Sequence, residues 1–149
     1  DRRQRQMCIR DSIRTYPIRL TEENAQEIIS QYDIVVDGCD NFSTRYLIND
    51  ICAEMGKVYV YGAICGFEGQ VSVFHYGEEK KSYRDLYPDE EEMRRMPPPP
   101  KGVMGITPAV TGSIEATEVL KIICGFGEVL SGKLWTIDLR TLQSNKFSL

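Results

Sequence analysis

Between Asp37 and Asn49 the sequence reads DGCDNFSTRYLIN, which concentrates two carboxylates, two amides and a guanidinium in thirteen residues. Asp40 is the residue to single out, because a carboxylate at the end of a strand is a natural ligand for Mg²⁺, which favours one or two carboxylates plus phosphate oxygens. Asn41 beside it can hydrogen-bond a phosphate or a base. Arg45 follows one helical turn later and can neutralise phosphate charge. Asn49 follows a further turn on, so Asn41, Arg45 and Asn49 share one helix face. Together these residue types suit metal-assisted handling of a nucleotide. On spacing alone, helix capping by Asp40, worth about 1 kcal/mol, stays the stronger reading, and Arg45 and Asn49 alone read as solvated surface.

The elements that must position these groups are legible on either side. Ile34-Val35-Val36 is a short apolar run that predicts a buried strand, and the chain turns through Asp37 to Asn41 into a helix that Asp40 or Asn41 can cap. Tyr46, Leu47, Ile48, Ile51, Cys52 and Met55 form an apolar stripe, Gly56 is the expected left-handed terminator, and Val58 to Gly62 is the next strand. Strand, helix and strand at this spacing predict a parallel βαβ crossover. In such sheets ligands sit at the carboxyl ends of strands, and a helix N-terminus offers free N–H groups to an anion.

Composition narrows the function classes. With 149 residues the chain can bury a core as one domain, and its 42% hydrophobic and 27% charged residues are those of a soluble globular protein. A net charge of −4 gives no reason to expect nucleic-acid or membrane-surface binding. No apolar run has the length of a membrane span and no secretory signal is present, so the expected compartment is the cytoplasm. Five cysteines without a C-x-x-C pair argue against a disulfide framework and a zinc site within this chain. His75, the one histidine, reads as a strand-face residue.

The rest of the chain is read more coarsely. Residues 1–12, DRRQRQMCIRDS, lack periodicity and resemble a translated sequencing-adapter read, so they are set apart from the fold at 13–149 as an artefact or a disordered arm. Ile13, Tyr16, Ile18 and Leu20 suggest a strand. Thr21 predicts an N-cap for a helix to Gln31 with Ala25, Ile28 and Ile29 on its apolar face. Gly66 and Gly69 bracket a turn before Gln70 to Tyr76, an alternating run that predicts a half-exposed antiparallel strand. Residues 77–105, with an acidic block at Asp89 to Glu92 and prolines from Pro97 to Pro100, predict an extended, mobile crossover loop. Thr107-Pro108 predicts the start of a long, largely buried helix to Cys124. On it Gly112 and Ala116 would admit another backbone. Lys133 to Asp138 and Ser144 to Leu149 complete a terminal hairpin.

Taken in order, DGCDNFSTRYLIN, GKxxVxGA (Gly56 to Ala63), FEGQVSVF (Phe67 to Phe74), SYRDLYP (Ser82 to Pro88), the proline run, GVMG (Gly102 to Gly105) and GSIEATEVLK (Gly112 to Lys121) resemble the ThiF/MoeB/HesA family of ubiquitin-activating-enzyme-like adenylyltransferases. The resemblance implies an α/β fold with a Rossmann-like, mostly parallel sheet and antiparallel C-terminal strands. It also implies use of ATP and Mg²⁺ to adenylate the C-terminal Gly-Gly carboxylate of a ubiquitin-fold sulfur carrier of the MoaD or ThiS kind. That activity serves molybdopterin or thiamin synthesis, in a homodimer. The family's D-x-x-D-N motif puts Asp40 on Mg²⁺–ATP and Asn41 on the nucleotide. The helix-face reading adds Arg45 as a catalytic charge and Asn49 as a nucleotide contact. No protein nucleophile is required, because the site must supply metal and cationic charge where anions meet.

Three departures qualify the resemblance. The family's glycine-rich G-x-G-G-x-G turn and its ribose- and phosphate-binding residues are absent from these 149 residues, so the segment alone is expected to be inactive. Ser82 and Asp85 stand where many members carry the first C-x-x-C, which makes zinc unlikely here. The position of the crossover-loop cysteine of some members falls at about Pro98, which favours a MoeB-like activator over a sulfur relay. Two other readings are a dinucleotide-binding oxidoreductase domain, for which no G-x-G-x-x-G is present, and a non-catalytic partner-binding module of the same fold.

Overall fold

The computed structural model describes residues 13–97 and 102–149. The artefact reading of residues 1–12 and the position at Pro98 lie outside the described residues. Helix α1 (Glu22–Ser30) opens at Thr21, whose N–H donates to Asn24 Oδ1 at 2.9 Å, and buries Ala25 and Ile29. Strand β1 (Ile34–Val36) leads into helix α2 (Phe42–Met55), which stops at Gly56 with φ 62°, a left-handed turn that glycine adopts at no steric cost. Strand β2 (Val58–Cys65) runs parallel to β1 with Ile34 opposite Val58, completing the crossover.

From β2 onward the sheet is antiparallel. Strand β3 (Glu68–Phe74) folds back through Gly66 and Phe67, and β4 (Lys133–Asp138) pairs with β3 and with β5 (Gln143–Ser148). The order β1-β2-β3-β4-β5 makes one mixed sheet, its parallel part carried by the β1–β2 ladder. Helices α3 (Tyr83–Leu86) and α4 (Glu90–Arg95) lie between β3 and the long helix α5 (Ile106–Cys124). No helix among the described residues is long and apolar enough to cross a membrane.

Period-two alternation sends β2 side chains to two separate cores. On the α2 side Tyr59, Tyr61 and Phe74 meet Tyr46 of α2 and Tyr83 of α3, all at most 1% exposed. Their rings contact at 5.0 to 6.4 Å between centroids, mostly edge-on or tilted, the arrangement that aromatic quadrupoles favour. On the α5 side Val60, Val71, Val73 and Leu130 pack beneath Ile114, Val119 and Ile122. With helices over both faces, Val71 to Phe74 of β3 are all buried, and the expected half-exposed strand is corrected accordingly.

Other expectations are corrected as well. Residues 13–20 form no strand and are largely exposed, and the sheet includes none of them. Val36 is 48% exposed, so β1 is only half covered. His75 lies one residue beyond β3 at φ 59° and not on a strand face. The stretch 77–105 holds α3 and α4 instead of being extended throughout. Its acidic block opens α4, with Asp89 capping Glu92 N–H at 2.9 Å and Glu90 paired to Arg84 and Arg94.

Helix α5 begins at Ile106. Thr107 Oγ1 donates to the Gly66 carbonyl at 2.8 Å instead of capping, and Pro108 sits within the first turn, where its missing N–H has no cost. The buried face of α5 is polar (Thr107, Thr111, Glu115, Glu118), while Ile106, Leu120 and Ile123 are 53–67% exposed. Close approach occurs at the sheet's Gly62 and Gly69, where an added methyl would overlap Glu115 and Thr111. At Gly112 it would meet only Glu115 Oε2 at 3.9 Å.

Candidate functional site

The turn from β1 into α2 forms one wall of a cavity of about 780 Å³. Asp37 is 4% exposed and fully engaged. Its Oδ1 accepts from the Cys39 N–H and thiol at 2.8 Å, and its Oδ2 accepts from Arg45 Nε and the Tyr59 hydroxyl, both at 2.9 Å. Arg45 is buried with it, donates from Nη2 to the Cys39 carbonyl at 2.8 Å, and lies 5.6 Å from the Tyr61 ring centroid. Burial works against the Arg45 charge, but Asp37 outweighs it and holds the guanidinium more firmly protonated than usual. Burial, then Asp37, push the Cys39 thiol up to about 12, so it is no thiolate nucleophile at neutral pH. The same two causes, in the same order, raise the Tyr59 phenol well above its ordinary value.

The expected site residues part company here. Asp40 and Arg45 both line the cavity. Asp40 is exposed at its mouth, and the contact its carboxylate makes is with Asn41 Nδ2 at 3.3 Å, so oxygens remain to hold a cation. Arg45 commits Nε and Nη2 to Asp37 and Cys39, and among the described residues its Nη1 has no partner, leaving that group to face an anion. Asn41 is the N-cap: its Oδ1 accepts from Thr44 N–H at 2.9 Å, so it anchors the helix and steadies Asp40.

Asn49 does not join the group. It is 1% exposed, and its Oδ1 takes the Tyr83 N–H at 2.9 Å, His75 Nε2 at 3.0 Å and Ser82 Oγ at 3.2 Å. Through these contacts it joins α2, the residue after β3, and α3, and it is not among the residues that line the cavity. Eight residues of helix rise about 12 Å, which carries Asn49 away from the cap even though the two share a face. His75 is held below its ordinary pKa by burial, which the hydrogen bond to Asn49 opposes.

The far wall was missed by sequence reasoning. Helix α5 contributes Thr111 and Glu115, 2% and 7% exposed, and neither Thr111 Oγ1 nor Glu115 Oε1 has a hydrogen-bond partner among the described residues. Burial first, then the negative charge of Asp37, raise Glu115 to about 7, with Arg45 opposing. The available signal was a pair of acids, Glu115 and Glu118, in the middle of a helix expected to be largely buried. Asp37 was seen as a carboxylate in the turn, but its pairing was not. Ser82 and Asp85 form a capping box for α3, Ser82 N–H donating to Asp85 Oδ2 at 2.8 Å and Arg84 N–H to Ser82 Oγ at 3.2 Å.

This arrangement can hold a cation at the cavity mouth, present a fixed guanidinium to an anion, and offer no activated nucleophile. A model of the ThiF family matches residues 1–149. A probable molybdopterin-synthase adenylyltransferase of Pyropia yezoensis is 45% identical over 139 residues, 92% of this chain and 36% of the relative. A sulfur carrier protein adenylyltransferase of Thermus thermophilus is 47% identical over 138 residues, 85% of this chain and 48% of the relative. The chain thus spans between about a third and a half of the length of these curated relatives. Among solved structures, Escherichia coli MccB crystallised with MccA covers 97% of this chain and 45% of its own, with a TM-score of 0.73 at 17% identity, a likeness of fold.

Proposed function

The chain belongs to the ThiF family, and from that premise we propose that the protein containing it adenylates the C-terminal carboxylate of a small sulfur-carrier protein ending in Gly-Gly. A carboxylate oxygen of the tail attacks the α-phosphorus of ATP, the bond to the β-phosphate breaks, pyrophosphate leaves, and an acyl-adenylate remains. In this reading the carrier is of the MoaD or ThiS kind and serves molybdopterin or thiamin synthesis in the cytoplasm. The names of the two relatives support the reaction class.

The observation that carries the reading is the pairing of Asp40 and Arg45 on one cavity. Asp40 at the mouth would hold a magnesium ion, which neutralises phosphate charge. Arg45, fixed from below by Asp37, presents Nη1 without needing to reorganise, which is how preorganised charge lowers a barrier. Asn41 supports both by closing the first turn. Zinc has no part in the proposal. We expect the 149 residues alone to be inert, since they contain no glycine-rich phosphate turn. The exposed apolar residues Ile106, Leu120 and Ile123 on α5 favour a homodimer.

Pyrophosphate exchange into ATP, dependent on a Gly-Gly carrier, tests the assignment in the complete protein. Asp40→Ala should lower the exchange rate by on the order of 100-fold. Because Asp40 is exposed, its circular dichroism and melting should stay those of the unaltered protein. Full exchange in Asp40→Ala would remove Asp40 from the chemistry.

A further inference from the structure

On the same cavity as Arg45, Thr111 and Glu115 stand one turn apart on α5, and among the described residues Thr111 Oγ1 and Glu115 Oε1 have no hydrogen-bond partner. Their placement is enforced from below. The Glu115 carboxyl lies against Gly62 of β2 and the Thr111 hydroxyl against Gly69 of β3, two positions where any side chain would collide with them. A buried carboxyl without a donor is costly when charged and far less so when neutral.

Among the groups around Glu115 only Arg45 offers compensating charge, and it makes no hydrogen bond to the Glu115 carboxyl. From the β1–α2 turn come Asp37, Cys39 and Asp40, and from α2 comes Arg45, whose Nε is engaged by Asp37. Strand β2 supplies Tyr61, whose phenol stays protonated, and β3 and β4 supply Glu68 and Asp138 to the cavity lining. On α5 itself Glu118 is taken up by Lys121 and by the Leu130 N–H. The direction in which burial and Asp37 move Glu115 agrees with this inventory.

We propose that Glu115 is a substrate-binding residue that acts as a neutral acid, donating a hydrogen bond to the incoming carboxylate terminus of the carrier. This rests on the adenylation reading above. A cavity that must admit a peptide carboxylate and a triphosphate beside Asp37 and Asp40 is better served by a carboxyl that carries no charge. A protonated carboxyl has one O–H to give, and burial that keeps an acid neutral is a recognised way of presenting such a donor. Thr111, one turn away, adds a second hydroxyl to the same wall. Binding of the anion stabilises the protonated form, so carrier binding takes up a proton.

The test is the pH dependence of carrier KM in pyrophosphate exchange, using the complete protein with its Gly-Gly carrier. For the unaltered protein KM should be flat below about pH 7 and rise about tenfold per pH unit above it, with kcat changing less. Glu115→Gln keeps the shape and an N–H donor but cannot ionise. Its KM should match the low-pH value within about two-fold and stay flat to pH 9. A rise in Glu115→Gln parallel to that of the unaltered protein, or a KM at pH 6 raised more than about tenfold, would overturn the proposal.

If the unaltered protein catalyses no exchange at any pH, the adenylation reading is what fails. Glu115 is then judged by carbon NMR of its carboxyl, titrated with and without a peptide ending in Gly-Gly. A midpoint moved upward by the peptide supports the donor role, and an unmoved midpoint sinks it.

Discussion

On the α2 wall of the cavity both oxygens of Asp37 are matched, by Arg45, Tyr59 and Cys39. On the α5 wall Thr111 and Glu115 are as deeply buried, yet among the described residues each keeps an unmatched oxygen. The first wall is a closed polar network in low dielectric, which fixes one geometry and resists change. The second lies close against two glycines, and among the described residues Thr111 Oγ1 and Glu115 Oε1 are unmatched. Burial of polar groups is therefore not one signal. A satisfied buried group marks the frame of the site, and an unsatisfied one marks where a ligand completes it.

The largest effect expected from breaking this contrast is on the closed wall. Asp37→Ala strands the Arg45 charge and the Tyr59 hydroxyl, and should cost on the order of 3–5 kcal/mol, read as a lowered urea midpoint. A change below about 1 kcal/mol would mean that the network is loosely held and the contrast is false.

Next comes the open wall, through pH. The native state keeps the Glu115 proton up to about 7, whereas the unfolded chain releases it near 4.5. Between those values the native state binds more protons, so stability is fully present below pH 4.5 and falls as pH rises through 7. The loss is on the order of 2–4 kcal/mol. Glu115→Gln should remove that slope and leave the rest of the profile in place. Urea titrations at pH 4.5, 6 and 8 decide it, and an equal slope in both proteins would assign the linkage to another group.

The smallest effect tests the steric support. Gly62→Ala should cost about 1–3 kcal/mol by overpacking against Glu115, and the cost should shrink in the double variant with Glu115→Ala. Additive costs would show that the glycine and the carboxyl do not depend on one another.

Legibility from sequence followed the range of the interactions. The β1–α2–β2 crossover, its Gly56 terminator and the closing hairpin were readable because period and turn chemistry are local. Helices α3 and α4 were not read, being four and six residues long and too short to show a period. Their caps, Ser82 with Asp85 and Asp89 with Glu92, were the signal to follow. The buried face of α5 was misjudged because apolar residues occur all around it, and only the sheet glycines decide which side packs. In the site, Asp40 and Arg45 line one cavity, as their closeness in sequence allows. Asn49 lies off that lining, since a shared face says nothing of distance along the axis. The partners of Asp37 depend on how β2 lies beside β1, which no spacing within the turn encodes.

The two faces of the sheet also differ in what light would see. Trp135, the one tryptophan of the sequence, packs with the valine core beneath α5, whereas Tyr46, Tyr59, Tyr61, Tyr83 and Tyr87 cluster on the opposite face. Indole emission thus reports the valine core, and tyrosine absorbance reports mainly the opposite one, with Tyr76 the tyrosine that packs on the valine side. Followed side by side during denaturation, they reveal whether the halves of the molecule come apart together or one before the other.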